Sequence, residues 1–560
     1  MAKARTRQEL RQFAEDFAAL IADGHTFGQK IAPNSGKVSA RSVYARKHKL
    51  SKESVSNLIG RSRAEGFAGI WEKALKQQIR NERTPLRFKP VNAEAARRRV
   101  VIMTSAQDET PLHEPFWQNL KAYARHRRAE LYLGGFTYQK GLFEDHSVQT
   151  GKYVPEIMEH LRPVETRLAP RLIWAGQANI LPTSSRPLAG WQSHGGGSWV
   201  VLPHAKIALE SVSRMPGQPP KAAVSTGVCT LPNYVKRNAG MKAEWHHTFG
   251  FAIAEIEADG EFWVRTVSAE ESGAFQDLDI RVADGKVTEG CHVEAITWGD
   301  IHVESLDADM ARLSWAIGPD GAKLRGSSMV DVLKPRYQFF HDLINFSARS
   351  HHTIHDPVYM TETHAQKQDR VADELAAAAG FLNASWRAGC ASVVVDSNHN
   401  QHFCRWLRSS EGRTDPANAD FWHRVNARWH QAARAGDIEF SPFAWALAEA
   451  GANKFVFVRA GDSFTICDDA AAIECGLHGH AGPNGSRGSA RSLARIAPRV
   501  NAGHTHSPAI DEGCYIAGAN CNLRPRFVNG PSSWAHADIV TMPSGKRQIV
   551  FKNSKGWRGR

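Results

Sequence analysis

The chain has 560 residues, of which 42% are hydrophobic and 23% charged, as in ordinary soluble globular proteins. No apolar run reaches the length of about eighteen residues that a membrane helix needs, so we expect no membrane insertion. Eight dispersed cysteines without a CxxC pair favour free thiols in a reducing cytoplasm and argue against a structural zinc ribbon.

The net positive charge is concentrated at the N-terminus. Residues 1–100 contain 22 Lys and Arg against 9 Asp and Glu, which accounts for the whole net charge of +13. Such an excess favours a polyanionic partner. Residues 1–92 are predicted to form a helical basic module in which Ser39 and Ser51 cap two consecutive helices. The arrangement resembles a helix-turn-helix whose second helix presents the candidate nucleic-acid-binding residues Lys52, Asn57, Arg61 and Arg63. The alternatives are an ordinary basic helical bundle and an oligomerisation segment.

Residues 81–95 are predicted to be a linker, and residues 96–291 a mixed α/β domain. Apolar runs indicate strands over 99–104, 198–202, 249–257 and 262–267, and helical periodicity indicates a helix over 114–129. This region offers no constellation to which chemistry can be assigned, so its role stays open.

From residue 292 onward the pattern is strand, loop, helix, with polar motifs directly after apolar runs. Five such motifs follow one another in the sequence: Gly299 to His302, His341-Asp342, Asp396 to Asn400, Leu477 to His480, and Gly503 to His506. Sites in layered α/β folds assemble at the carboxyl ends of strands, so we expect these side chains to meet. The candidate metal ligands are Asp300, His302, Asp342, Asn398, His478, His504 and His506.

The mixed nitrogen and oxygen set predicts two divalent cations, with Mn²⁺ expected and Fe, Zn²⁺, Ni²⁺ or Co²⁺ as alternatives. Asp342 is the candidate bridge between them, because a shared carboxylate screens their repulsion. His480 stays an alternative to His478. A ligand set of this kind is typical of two-metal sites that cleave phosphate esters. His399 is the candidate catalytic residue, which would bind the phosphate of the ester or protonate its leaving oxygen, since imidazole titrates near neutral pH. The loop 482–488, with Arg487, is a candidate phosphate cradle.

These motifs resemble the calcineurin-like metallophosphoesterase family, whose pattern runs D-x-H, G-D, G-N-H-D/E, H and G-H-x-H. The resemblance covers residues 292 to about 552 and implies a catalytic βαβ sandwich over 292–560. It also implies that Asp300, His302 and His506 hold one metal, that Asp342 bridges, and that the other metal is held by Asn398, His478 and His504. His341, Ser397 and Asn400 depart from the pattern. With no acid at position 400, Asp396 is the candidate residue for orienting His399.

A narrower resemblance extends over most of the chain. Val100 to Gln107, Ile180 to Ser184 and Ser225 to Thr230 are similar to the early DNA-transfer nuclease of tailed bacteriophages. That family implies a metal-dependent DNase that degrades host DNA in the host cytoplasm. The basic C-terminal tail, Gly545 to Arg560, is predicted to attract phosphate as well. The alternatives are a phosphomonoesterase or cyclic-nucleotide phosphodiesterase, and a non-catalytic DNA-binding or DNA-transfer protein. Homo-oligomer formation is left open.

Overall fold

The computed structural model describes residues 6–23, 39–81, 98–138, 152–409, 411–468, 471–525, 528 and 530–559, with backbone only for 75–81. Beyond Asn81, the predicted linker therefore lies outside the described residues. The helices are α1 (Arg7–Ala22), α2 (Ala40–Lys47), α3 (Lys52–Ala64), α4 (Ala68–Asn81), α5 (Glu114–Arg127), α6 (Asn238–Trp245), α7 (Ala308–Trp315), α8 (Met329–Leu333), α9 (Pro357–Ala365), α10 (Val371–Ser385), α11 (Asn398–Arg408), α12 (Ala419–Arg434), α13 (Pro442–Glu449) and α14 (Ala490–Leu493). Within these residues no helix combines the length and apolarity needed to cross a membrane.

The strands belong to four sheets. They are β1 (Arg99–Gln107), β2 (Glu130–Phe136), β3 (Glu165–Ala169), β4 (Leu172–Ala175), β5 (Trp199–Leu202), β6 (Leu209–Val212), β7 (Lys221–Ser225), β8 (Gly250–Ile256), β9 (Phe262–Ser268), β10 (Phe275–Asp277), β11 (Ile280–Ala283), β12 (Lys286–Thr288), β13 (Ala295–Thr297), β14 (Tyr337–Phe340), β15 (Ala391–Val395), β16 (Val456–Val458), β17 (Thr465–Ile466), β18 (Ile473–Glu474), β19 (Val500–Ala502), β20 (Ala509–Asp511), β21 (Cys514–Ile516), β22 (Ala537–Thr541) and β23 (Arg547–Phe551). The chain is thus a mixed α/β protein, as predicted.

The N-terminal residues form helices that share one apolar core. The side chains of Ser39 and Ser51 accept hydrogen bonds from the amides of Ser42 and Ser54, which confirms the two predicted N-caps. Helices α1 to α4 pack around four large aromatic side chains: Phe13, Phe17, Tyr44 and Trp71. The exposed face of α3 therefore points away from a well-filled core.

A six-stranded sheet carries the first three motifs. Its order is β16-β15-β14-β13-β22-β23, and β13 to β16 run parallel. Because side chains alternate across a strand, Phe340 and Val394 pack against helices, whereas Phe339 and Val393 pack against β17 and β18 on the other face. The carboxyl ends of the parallel strands therefore lie between helices and a second sheet.

That second sheet has ten strands, in the order β17-β18-β19-β21-β20-β6-β7-β5-β4-β3. Strand β6 pairs with β20, with Leu209 opposite Ile510, so the sheet combines strands from both sides of the predicted boundary at 291/292. The regions 96–291 and 292–560 thus contribute strands to one common sheet. Local patterns could not reveal this, because the paired strands lie about three hundred residues apart.

The basic C-terminal segment is part of the fold, so its interpretation as a phosphate-attracting tail needs correction. Residues 547–551 form β23, antiparallel to β22. The buried Lys552 lies with Nζ 2.5 Å from Asp538 Oδ2 and donates to Ser314 Oγ at 2.8 Å. Arg547 donates to the carbonyl of Val500 at 2.9 Å. Lys552 is neutralised by Asp538, and both basic side chains are buried, so neither can reach an external phosphate.

The same interactions fix the turn that carries Asp300. Asp538 Oδ1 accepts the amide of Gly299 at 2.9 Å and Asn520 Nδ2 at 3.0 Å, while Lys552 also bonds to Asn520 Oδ1. The backbone N–H of Asn520 donates to the backbone carbonyl of Asp300 at 2.8 Å. A buried lysine–aspartate–asparagine network therefore holds the end of β13 in place.

We expect Lys552→Met to lower the free energy of unfolding by about 3–5 kcal/mol, because it leaves the Asp538 carboxylate buried without its cation. Lys555→Met, three residues along, is the control, since Lys555 makes an exposed ion pair with Asp259. That pair is solvent-screened and its removal should change little. Urea unfolding followed by circular dichroism measures both; equal midpoints for the two variants would contradict the buried network.

Candidate metal centre

The predicted ligands come together at the strand ends of two sheets. Strands β13, β14 and β15 are parallel neighbours, and the polar residues that follow them are Asp300, His302, Asp342 and Asn398. Strands β18 and β19 are parallel neighbours in the ten-stranded sheet, and the residues that follow them are His478, His504 and His506. The two sheets face each other, so their carboxyl ends deliver ligands to one place.

Asp342 belongs to two groups of side chains whose ligand atoms lie within 4.8 Å of one another. One group is completed by Asp300, His302 and His506; the other by His478 and His504. Each group could hold a metal ion. The Asp342 carboxylate is thus common to both groups.

The distances within the first group are short. His506 Nε2 lies 2.8 Å from Asp300 Oδ2 and 3.3 Å from His302 Nε2. His302 Nε2 in turn lies 3.6 Å from Asp342 Oδ2. Four side chains from three segments thus point their ligand atoms at a common space.

In the second group, His478 Nε2 lies 3.2 Å from Asp342 Oδ2 and 3.1 Å from Asn398 Oδ1. His480 belongs to neither group. Of the two histidines left open by the sequence, His478 is therefore the one that lies beside Asp342. Behind it, His341 Nδ1 lies 3.3 Å from His478 Nδ1, a contact that the sequence did not reveal.

The donor set fits a cation. Asp300 and Asp342 are buried, and no described residue donates a hydrogen bond to the Oδ1 atom of either. Burial raises the pKa of Asp342, but the imidazoles of His478 and His399 outweigh burial and hold it well below its usual value. Burial lowers the pKa of His302 to about 3 and that of His504 to about 4. The carboxylate is therefore charged and these two imidazoles neutral near pH 7, as metal ligands must be.

Four of the ligands have backbone torsions that residues other than glycine rarely adopt. The φ angles are 45° at His302, 42° at Asp342, 73° at His504 and 56° at His506. Such residues cost of order 1 kcal/mol or more each and cluster at functional sites. At position 503 glycine is required for a steric reason, because a Cβ there would lie 2.3 Å from Asp300 Oδ1. The backbone is therefore arranged for the convergence of these side chains.

His399 lies beside the first group, with its ring centroid 4.7 Å from that of His302. Its Nδ1 is 2.9 Å from the carbonyl oxygen of Asn345, whose amide donates to Glu304 at 2.8 Å. Asp396, predicted to orient His399, instead accepts a hydrogen bond from Gln401 at 3.2 Å. The orienting contact therefore comes from Asn345. No sequence signal indicated it, because a backbone carbonyl has no residue preference.

The candidate nucleic-acid contacts are exposed. Lys52, Asn57, Arg61 and Arg63 of α3 are all exposed, whereas Val55, Leu58, Ile59 and Ser62 are buried. Arg487 is exposed in the loop 482–488, but the amides of Gly482 and Gly488 donate to carbonyls of Ser486 and His480. Those two amides cannot also bind phosphate, so the predicted cradle is largely closed by its own hydrogen bonds.

A cavity of about 900 Å³ opens beside the centre. Its lining includes Asn345, Asn398 and His399, and most of the other lining residues belong to the segment 347–377. The cavity therefore reaches His399 and has the size of a small ligand.

Comparison with known proteins gives one relative that covers most of the chain. No protein-family model and no solved structure matches. The sequence is 35% identical over 466 residues to Protein A1 of Escherichia phage T5, an alignment that covers 81% of this chain and 82% of that protein. The name of that relative states no activity. This degree of identity over this length shows that the chain belongs to the family of the phage T5 Protein A1.

Proposed function

We propose that this protein is a metal-dependent DNase of the calcineurin-like metallophosphoesterase type, which hydrolyses phosphodiester bonds. The observation that carries the proposal is the position of Asp342, whose carboxylate is common to two groups of metal-ligating side chains. Two cations a few ångströms apart are the usual means of cleaving phosphate esters. The catalytic βαβ sandwich corresponds, in this proposal, to the six-stranded sheet and the C-terminal half of the ten-stranded sheet.

The chain's own residues have distinct parts in this reaction. Asp300, His302 and His506 would hold one cation, Asn398, His478 and His504 would hold the other, and Asp342 would be available to both. When bound, two divalent cations, expected to be Mn²⁺, supply acidity to a water and neutralise phosphate charge. Because a carbonyl only accepts, Nδ1 of His399 carries a hydrogen toward Asn345. In the protonated imidazole, Nε2 carries the second hydrogen and would give it to the departing sugar oxygen, which leaves the ring neutral.

DNA is the proposed substrate because the excess positive charge lies in one module. The exposed basic side chains of α3 can bind a phosphate backbone and release its counterions. Membership in a phage protein family supports a substrate available in an infected cell, and degradation of host DNA early in infection is the corresponding role. The cavity beside His399 has the size of a small ligand, which supports a second candidate, a phosphomonoesterase or cyclic-nucleotide phosphodiesterase with a small substrate.

Asp342→Asn is expected to reduce the rate of DNA cleavage in Mn²⁺ by more than about 10³-fold, because both groups lose their shared charge.

His399→Ala is expected to reduce the rate of DNA cleavage by roughly 10²–10⁴-fold. The rate of bis-p-nitrophenyl phosphate cleavage should fall much less, because that leaving group needs no proton. His423→Ala, an exposed histidine of α12, is the matched control. Equal DNA cleavage by the control, Asp342→Asn and His399→Ala would exclude this centre.

The same assay separates the candidate functions. Turnover of p-nitrophenyl phosphate or a cyclic nucleotide with no DNA cleavage would favour the small-substrate enzyme. Salt-sensitive DNA binding with no hydrolysis in Mn²⁺, Ni²⁺, Co²⁺ or Mg²⁺ would favour a non-catalytic DNA-binding or DNA-transfer protein.

A triple variant, Lys52→Ala with Arg61→Ala and Arg63→Ala, is expected to weaken DNA binding and to flatten its salt dependence by about one unit for each phosphate that the helix no longer binds. Lys286→Ala, an exposed lysine of β12, is the control. Fluorescence anisotropy with labelled duplex at several salt concentrations measures both. Hydrolysis of the small diester reports that the triple variant is folded. An unchanged salt slope would show that α3 does not contact DNA.

A further inference from the structure

A second set of imidazoles lies outside the centre around Asp342. His351 and His352 follow each other in the turn 351–355, and His402 lies on α11, one helical turn after Asn398. Their ring centroids are 3.8 Å apart for His351 and His352, 4.5 Å for His351 and His402, and 5.6 Å for His352 and His402. One nitrogen of each lies within 4.8 Å of the others.

The positions of these histidines are fixed by the surrounding fold. Before the turn, the buried Arg349 makes a two-point ion pair with Asp415, at 2.5 and 3.0 Å. Phe346 packs against Phe403 and Trp406 of α11, which joins the loop to the helix that carries His402. The cluster therefore combines two rigidly connected segments, as a preorganised ligand set requires.

The nitrogen atoms are available for coordination. Nδ1 of His351 and Nδ1 of His402 are buried, and no described residue forms a hydrogen bond with either. Burial, followed by the neighbouring imidazoles of His399 and His351, lowers the pKa of His402 to about 3. Burial also lowers the pKa of His351. Two of the three rings are thus held neutral near pH 7. The contacts between the rings give the buried Nδ1 atoms of His351 and His402 no hydrogen-bond partner.

We propose that His351, His352 and His402 form a third metal site that binds a single Zn²⁺ ion. Three imidazoles without a carboxylate suit Zn²⁺, whereas Mg²⁺ and Ca²⁺ prefer oxygen ligands. Three histidines also leave the fourth position of a tetrahedral ion open, which is typical of zinc sites that bind a substrate oxygen. The site thus differs in chemistry from the aspartate-containing centre.

The position of the histidine cluster indicates which class of ligand would occupy the fourth coordination position of the ion. The ring of His402 lies 5.0 Å from that of His399, and His399 lies 4.7 Å from His302, so the cluster and the main centre flank His399. His352, His399 and His402 line the same cavity. An ion there would bind a phosphate oxygen on the side of His399 away from Asp342. This last step rests on the proposed phosphodiesterase function, whereas the binding of Zn²⁺ does not.

The test isolates the cluster by removing the main centre. The full-length Asp342→Asn protein is stripped with a chelator and dialysed against Zn²⁺, and bound zinc is measured by mass spectrometry. His352→Ala and His402→Ala, each added to this background, are expected to remove about one ion per chain. His423→Ala in the same background is the control and is expected to remove none. Because His352 is exposed, its variant should keep the parent melting temperature.

Each outcome decides the proposal. Equal zinc content in the Asp342→Asn parent and its His352→Ala derivative, or no bound zinc in the parent, would overturn the third site. Loss of one ion from the Asp342→Asn background, together with no DNA cleavage by the wild-type protein, would support the site and reject the proposed function. If the wild-type protein cleaves DNA, we expect His352→Ala in the wild-type background to raise the KM for the small diester and weaken inhibition by inorganic phosphate in Zn²⁺, with neither change in His423→Ala. Unchanged KM and phosphate inhibition would overturn only the substrate-binding role.

Discussion

The arrangement of this protein depends on the buried carboxylate of Asp342, which needs cationic or hydrogen-bonding partners. Imidazoles from three distant segments, those of His302, His478 and His504, lie around it. The backbone accepts a left-handed φ at Asp342 itself and at two of these histidines to bring them there. Because the segments belong to different sheets, the carboxylate also fixes how the two sheets must meet.

A second buried charge supports the first. Lys552 neutralises Asp538, and Asp538 with Asn520 holds the Gly299–Asp300 turn from behind. Basic residues at the C-terminus thus serve the architecture of the centre, and the unbalanced positive charge lies within residues 1–100. A sum of charges along the sequence cannot separate these two uses, since burial decides which charges a partner can reach.

The parts predictable from sequence are those governed by neighbours along the chain. The strand predicted over 262–267 corresponds to β9, the caps at Ser39 and Ser51 are present, and polar motifs do follow parallel strands. The parts that could not be predicted involve distant partners: the pairing of β6 with β20, the burial of Lys552, and the carbonyl of Asn345 at His399. In each case the deciding contact leaves no periodicity or residue preference in the local sequence.

Three residues depart from the metallophosphoesterase pattern: His341, Ser397 and Asn400. Each has a structural role, so its presence alone does not indicate that the site has lost its function. Ser397 has an extended φ of −137°, so glycine is not required there, and its hydroxyl caps α11. His341 supports His478 from behind. Asn400 is buried, and its amide group donates to the carbonyl of Val395, which places it in the packing of β15 and α11. Since a backbone carbonyl orients His399, the absence of an acid at position 400 does not remove the means of holding that imidazole. The departures are therefore compatible with an intact centre.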